Sequence, residues 1–168
     1  MKKFLTLLTV AFCLLLTACG EADFEKYLGD KEYDKHLDLN AVVCNKDSYD
    51  NKIEYRCVND FEGLVNDKIP VLLYFEDPLG DGQETDKVIE EVALKGWPNI
   101  AVVKIDGTSR TDIKETYGVD DVNQLVLVKY NTVRGKIDLS EDIYKNPENI
   151  CKFIDSTYVE VEWDDKNG

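Results

Sequence analysis

One histidine stands in 168 residues. Alone at His36, it excludes a Ser-His-Asp arrangement and a site built from several imidazoles, and no thiolate accompanies it at ligand spacing, so an exposed polar role is expected. Basic residues are few beside acidic ones, 20 against 34, for a formal net charge of −14. That balance disfavours nucleic acid as a partner and favours solubility, or attraction to cations and basic proteins. The glycines form no phosphate-cradling pattern, and the chain has no internal repeat or low-complexity block. Acids are so numerous that no particular pair can be assigned to glycosidase-like work at a cleft.

What is present begins with MKKFLTLLTVAFCLLLTACG, where Lys2 and Lys3 precede an uncharged apolar run from Phe4 to Leu16 and small residues up to Cys19. This is the pattern of an export signal, too short to span a bilayer stably. Leu16-Thr17-Ala18-Cys19 resembles the lipobox of bacterial lipoproteins. The resemblance implies loss of a signal peptide at residues 1–18 and acylation of Cys19 by diacylglycerol and palmitate-type chains. Two or three such chains anchor a protein at the extracytoplasmic face of a bacterial cell membrane. Glu21 stands where inner-membrane retention would favour aspartate, which leaves the envelope type open. Cleavage would leave 150 of the 168 residues, the size of one domain with an arm, and a net charge of −16, because two lysines and no acid depart.

Five cysteines become four on cleavage, and lipidation of Cys19 leaves Cys44, Cys57 and Cys151. An odd count in an oxidising compartment implies one bridge and one free thiol. Cys44 and Cys57 flank NKDSYDNKIEYR, a polar stretch able to join two antiparallel strands, and are the candidate disulfide; closing so short a loop contributes roughly 3 kcal/mol. The alternative is three buried free thiols acting as small hydrophobes.

Residues 19–40 are charged and lack sustained periodicity, and read as a tether off the membrane with room for a short helix. Alternation begins with AVVC and KIEYRCV as strands, followed by a short helix at NDFEGLVND, capped by Asn59 or Asp60 with Phe61, Leu64 and Val65 on one face. IPVLLYF is continuously apolar, as a central strand covered on both sides should be. In TDKVIEEVALKG, Val88, Ile89, Val92 and Ala93 form a helical stripe, with Gly96 as the stop and Pro98 beyond it. NIAVVKID is a second buried strand. SRTDIKETYG is a helix expected to start at Ser109 and end at Gly118, and QLVLVKY and TVRGKIDL are strands joined by a tight hairpin. NPENICKFIDSTY has Asn146 as cap and Pro147 at the first helical position, with Ile150, Cys151, Ile154 and Tyr158 expected to face inward. The acidic tail VEVEWDDKNG alternates at Val159, Val161 and Trp163 and is expected to add an edge strand or to fray. Strands alternating with helices, then a hairpin and a last helix, give an α/β fold: a mixed sheet flanked by helices.

This order, and the stretches NDFEGLVNDKIPVLLYF, NIAVVKIDGTSRTDIKETYGVDDVNQLVLVKYN and ENICKFIDSTY, resemble thioredoxin-like domains over roughly residues 52 to 158. The resemblance implies a thioredoxin-like fold within a domain at 41–168. It also exposes two departures. Catalytic members place Cys-X-X-Cys at the mouth of the helix after the central strand, where the helix N-terminus activates the first thiol. Here the corresponding residues are Leu79, Gly80, Asp81 and Gly82, within FEDPLGDGQETD. The family also sets a cis-proline opposite, where this chain has Asn123, whose peptide bond is expected to be trans. Dithiol exchange needs two sulfurs at an accessible helix start, so the chain is expected not to be an enzyme and to need no cofactor.

Redox-inactive relatives of this kind serve as binding or chaperone modules. By that resemblance the chain is a membrane-anchored module for a protein or peptide partner, with a groove between Glu76, Asp77, Pro78, Leu79, Gly80, Asp81 and Gly82 on one side and Val122, Asn123 and Gln124 on the other. Two alternatives stay open. One is an envelope thiol–disulfide role through Cys44, Cys57 or Cys151. The other is weak calcium binding, since Asp77, Asp81, Glu84 and Asp86 crowd the loop and VLLYFEDP is similar to calsequestrin. Leu79 and Val88 break the EF-hand pattern, so no tight metal site is expected.

Overall fold

The computed structural model describes residues 23–32, 38–45, 52–80 and 83–164. Seven strands, β1 (Leu28–Glu32), β2 (Leu39–Asn45), β3 (Lys52–Val58), β4 (Val71–Glu76), β5 (Ala101–Asp106), β6 (Gln124–Lys129) and β7 (Thr132–Asp138), form one sheet in the order β1-β3-β2-β5-β4-β6-β7. β4 and β5 run parallel; every other neighbouring pair is antiparallel. Four helices cover it: α1 (Phe61–Asn66), α2 (Gln83–Gly96), α3 (Thr111–Tyr117) and α4 (Pro147–Ser156).

The apolar run of β4 explains the layering. Successive side chains of a strand point to opposite faces. Val71, Leu73 and Phe75 therefore join Leu64 and Val65 of α1 and Ile113 and Tyr117 of α3 in one core. Leu72 and Tyr74 join Ile89 and Val92 of α2 and Ile150 and Ile154 of α4 in the other. A mixed α/β sheet with helices on both faces is thus as the sequence pattern led us to expect.

The caps and turns follow local chemistry. The Asp60 carboxylate accepts from the Gly63 N–H at 2.8 Å, and the Asn146 side chain accepts from the Glu148 N–H at 2.9 Å. Gly118 closes α3 in the left-handed region, with φ 62. The β6–β7 turn is a two-residue hairpin whose Tyr130 and Asn131 have φ 51 and 50. Its tip is fastened to the body, because the Asn131 N–H donates to the Val65 carbonyl and the Tyr117 hydroxyl donates to Asn131 Oδ1.

Four expectations are corrected. The segment read as a tether contributes a 3-10 turn at Glu25–Tyr27 and the edge strand β1. Phe24 is buried with its ring edge-on to Trp97 at 4.8 Å, Leu28 is buried, and the Gly29 carbonyl accepts from Arg56 Nε. So few apolar anchors give no period that a sequence reading could detect. Ser109 does not cap α3; its N–H, like that of Thr108, donates to Asp106 Oδ1, and the helix begins at Thr111. Tyr158 is 99% exposed rather than inward, because a left-handed turn there, φ 62, ends the α4 direction and sends Val159 into the core instead. The tail neither pairs as a strand nor frays over residues 159–164. It straps across the ends of α2 and α4, with the Asp164 N–H donating to the Lys95 carbonyl and Asn99 Nδ2 to the Glu162 carbonyl.

Candidate functional site

The C-terminal ends of the parallel strands β4 and β5 meet the start of α2, and here the molecule concentrates buried charge. In register, Tyr74 lies beside Lys104, and Lys104 in turn beside Asn40 of β2. Strand alternation turns this row toward α2, the same way as Leu72 and Val102. Lys104 is fully buried, and its Nζ lies 2.6 Å from Glu76 Oε2 and 2.8 Å from Asp86 Oδ1. Glu76 ends β4 and Asp86 sits in the first turn of α2, so one ammonium ties strand β5 to both sides of the strand-to-helix junction.

Two tyrosines close the surroundings. The Tyr55 hydroxyl donates to Glu90 Oε1 at 2.6 Å, and its ring lies 5.9 Å from Lys104 Nζ. Burial first, then the Glu90 carboxylate, raises the Tyr55 pKa. Tyr74 is wholly buried and its hydroxyl has no hydrogen-bond partner among the described residues. Burial, then the charges of Asp86, Glu76 and Asp77, pushes its pKa up as well, so both phenols stay protonated at physiological pH. The cluster holds two carboxylates to one ammonium. Desolvating such groups is costly, and their mutual attraction offsets it only while all three are present.

Above this base the loop turns tightly. The Gly80 N–H donates to the Asp77 carbonyl at 3.1 Å, and the Leu79 N–H to Asp77 Oδ1 at 3.0 Å, an Asx turn. Leu79 is left 94% exposed. The expected second wall lies alongside: the Asn123 N–H donates to the Phe75 carbonyl, Gln124 pairs with Phe75, and the Gly107 N–H donates to the Glu76 carbonyl. Val122 packs so near Gly107 that a Cβ there would come within 2.9 Å of Val122 Cγ1 and 3.1 Å of the Glu76 carbonyl.

The structure therefore brings Glu76, Asp77, Pro78, Leu79 and Gly80 together with Val122, Asn123 and Gln124. It changes the role of one. Glu76 is 3% exposed and points into the Lys104 cluster, so it is no groove wall. Asp77, Pro78, Val122, Asn123 and Gln124 are half-buried. Asp81, Gly82, Cys19, the leader and His36 lie outside the described residues. Asn123 sits in the left-handed region at φ 60, and the only cis peptide among the described residues is Trp97–Pro98, so the bond at Asn123 is trans.

Asp86, counted by sequence among the loop acids, instead belongs to α2 and is held by Lys104. Among the described residues no three His, Cys, Asp or Glu side chains are grouped to hold a metal ion. Among the described residues the candidate Cys44–Cys57 bridge is not formed. Cys44 pairs with Ile53 while Cys57 pairs with Asn40, so the two are displaced along the hairpin by four positions, ~13 Å, beyond the reach of a disulfide. Cys151 is free and buried, and that burial raises its pKa to about 12. It sits beside a cavity of about 120 Å³ under the tail.

Lys104 is the residue that sequence reasoning missed. Its signal was a lysine interrupting the apolar run AVVKID, at a position whose strand parity is buried. No local rule names its partners. Among the described residues no helix is long and apolar enough to cross a membrane. Neither a protein-family model nor a curated protein matches the chain.

Proposed function

We propose that this chain is a lipid-anchored extracytoplasmic module of thioredoxin-like descent that binds a protein or peptide at the β4–α2 junction and carries out no dithiol exchange. The observation that carries the reading is the junction itself. Where the resembled family keeps a reactive sulfur, this chain presents the side chain of Leu79, 94% exposed, on a turn whose base is fixed by the Glu76–Lys104–Asp86 cluster. An exposed apolar side chain on a hydrogen-bonded turn serves recognition, since a turn already closed loses less ordering entropy on contact.

Other features are consistent with it. Parallel β4 and β5 beside antiparallel β6 and β7, with helices on both faces, suit a thioredoxin-like core, although β2 intervenes between β3 and β5. The anchor rests on the leader and on Cys19. No described thiol lies at the mouth of α2, and the buried, raised Cys151 makes a poor nucleophile.

The test is photocrosslinking of the intact protein in its own membrane from a probe placed at position 79. One recurrent partner, lost when the probe is moved to exposed Tyr158, supports the reading. Crosslinks scattered over unrelated proteins, or acceleration of insulin reduction by the purified chain, defeat it. Cys19→Ser should release the protein from the membrane fraction.

A further inference from the structure

We propose that the cavity beside Arg56 and Trp97 is a binding site for a small zwitterion of amino-acid size, one that carries both an ammonium and a carboxylate. The cavity has a volume of about 350 Å³, within the usual range for small-ligand sites. It is bounded by the C-terminal end of β2 and by Trp97, which precedes β5; because β2 and β5 are antiparallel, this is the end of the sheet opposite Leu79.

The lining is chemically mixed in a specific way. Arg56 uses Nε on the Gly29 carbonyl at 2.7 Å and Nη1 on Glu25 at 3.0 Å, which fixes the plane of its guanidinium. Its Nη2 has no partner among the described residues, and a guanidinium edge so held matches a carboxylate. Glu54 accepts from Asn45 Nδ2 at 2.6 Å, and no cation pairs with it among the described residues. Glu25 also lines the cavity but is already paired with Arg56, so the groups left to a ligand are the Nη2 edge of Arg56 and the Glu54 carboxylate. A simple anion would be repelled by the two acids, and a simple cation would leave the Nη2 edge unused. A molecule with both charges satisfies both walls.

Between them, Val43 and the indole of Trp97 supply an apolar surface, and Phe24 holds the indole edge-on at 4.8 Å. Cys44 lines the same space and reports on it.

The experiment uses the full chain carrying Trp163→Phe, so that Trp97 is the sole indole. Free phenylalanine, N-acetylphenylalanine and phenylalanine amide are titrated while Trp97 emission and the rate of Cys44 modification by methyl methanethiosulfonate are followed. Phenylalanine should give a saturable change in emission and slow Cys44 modification. Each single-charge probe should bind about tenfold more weakly or worse, the loss of one charge-assisted contact. Glu54→Gln should remove the preference for the free amine, and Arg56→Met the preference for the free carboxylate. Should Arg56→Met loosen β1, the ranking of the three probes on the unsubstituted site decides. No saturable response to phenylalanine up to about 10 mM, or an equal response to all three probes, overturns the proposal.

Discussion

The two faces of the sheet both carry an apolar core, but only one of them also buries charge. Toward α1 and α3 the core is apolar, from Val71, Leu73 and Phe75 of β4 to Val126 and Val128 of β6. Toward α2 and α4 lie the four polar or charged residues buried in the described structure, Asn40, Glu76, Asp86 and Lys104, together with two buried tyrosines. The apolar face draws its stability from transfer and packing, which tolerate a change of shape if volume is kept. The charged face depends on a complete set of partners, which tolerates almost nothing.

That contrast breaks most sharply at Lys104. Lys104→Met should cost about 3–5 kcal/mol in urea unfolding, because two buried carboxylates lose their counter-ion. Leu73→Met on the opposite face, similar in volume, should cost less than about 1.5 kcal/mol. The triple change Lys104→Met, Glu76→Gln, Asp86→Asn should be less damaging than Lys104→Met alone. Equal costs for Lys104→Met and Leu73→Met would remove the distinction.

A smaller effect is expected where the junction is stitched by backbone. Gly107→Ala would press a methyl against Val122 and the Glu76 carbonyl, and should lower stability by about 1–3 kcal/mol. Faster amide exchange at Gly107 and Asn123 in that variant would locate the damage at the loop.

Helix caps should be indifferent to the face they serve. Asp60→Ala on α1 and Asn146→Ala on α4 each remove one side-chain acceptor, and each should cost about 1 kcal/mol by thermal denaturation. A large difference between them would mean that the two faces also differ in how firmly their helices are held.

The weakest effect is electrostatic. Burial works against the Asp106 carboxylate, but hydrogen bonds from Thr108 and Ser109 outweigh it and hold its pKa below the ordinary 3.8. A carboxyl depressed in the native state contributes stability above its unfolded pKa and loses it as pH falls through the native value. Asp106→Asn keeps the oxygen acceptor and removes the titration. Its stability should therefore decline less steeply than that of the unsubstituted protein as pH drops from about 4.

Much of the fold was legible because it rests on short-range signals. Asn146 followed by Pro147, glycine at 118, and the hydrophobic runs at 71–75 and 101–103 each act within a few residues of themselves. Misreadings arose where a distant partner decides. Phe24 and Leu28 look like stray apolar residues in a charged arm until Trp97 and β3 are placed beside them. Cys44 and Cys57 bracket a turn convincingly, yet the register of β2 on β3 sets them apart. Glu76 and Asp86 look like two of many loop acids, and only the strand parity of Lys104 turns both inward.

The sequence by itself determined the order of the elements from β2 onward, the caps at Asp60 and Asn146, and the lack of sulfur where the central strand meets α2, because each is a property of neighbouring residues along the chain. The tertiary structure alone decided which acids are buried, what holds Lys104, and that β1 joins the sheet. A buried charge is stable only beside a partner, and partners 18 positions apart, such as Asp86 and Lys104, meet only when the whole sheet is assembled.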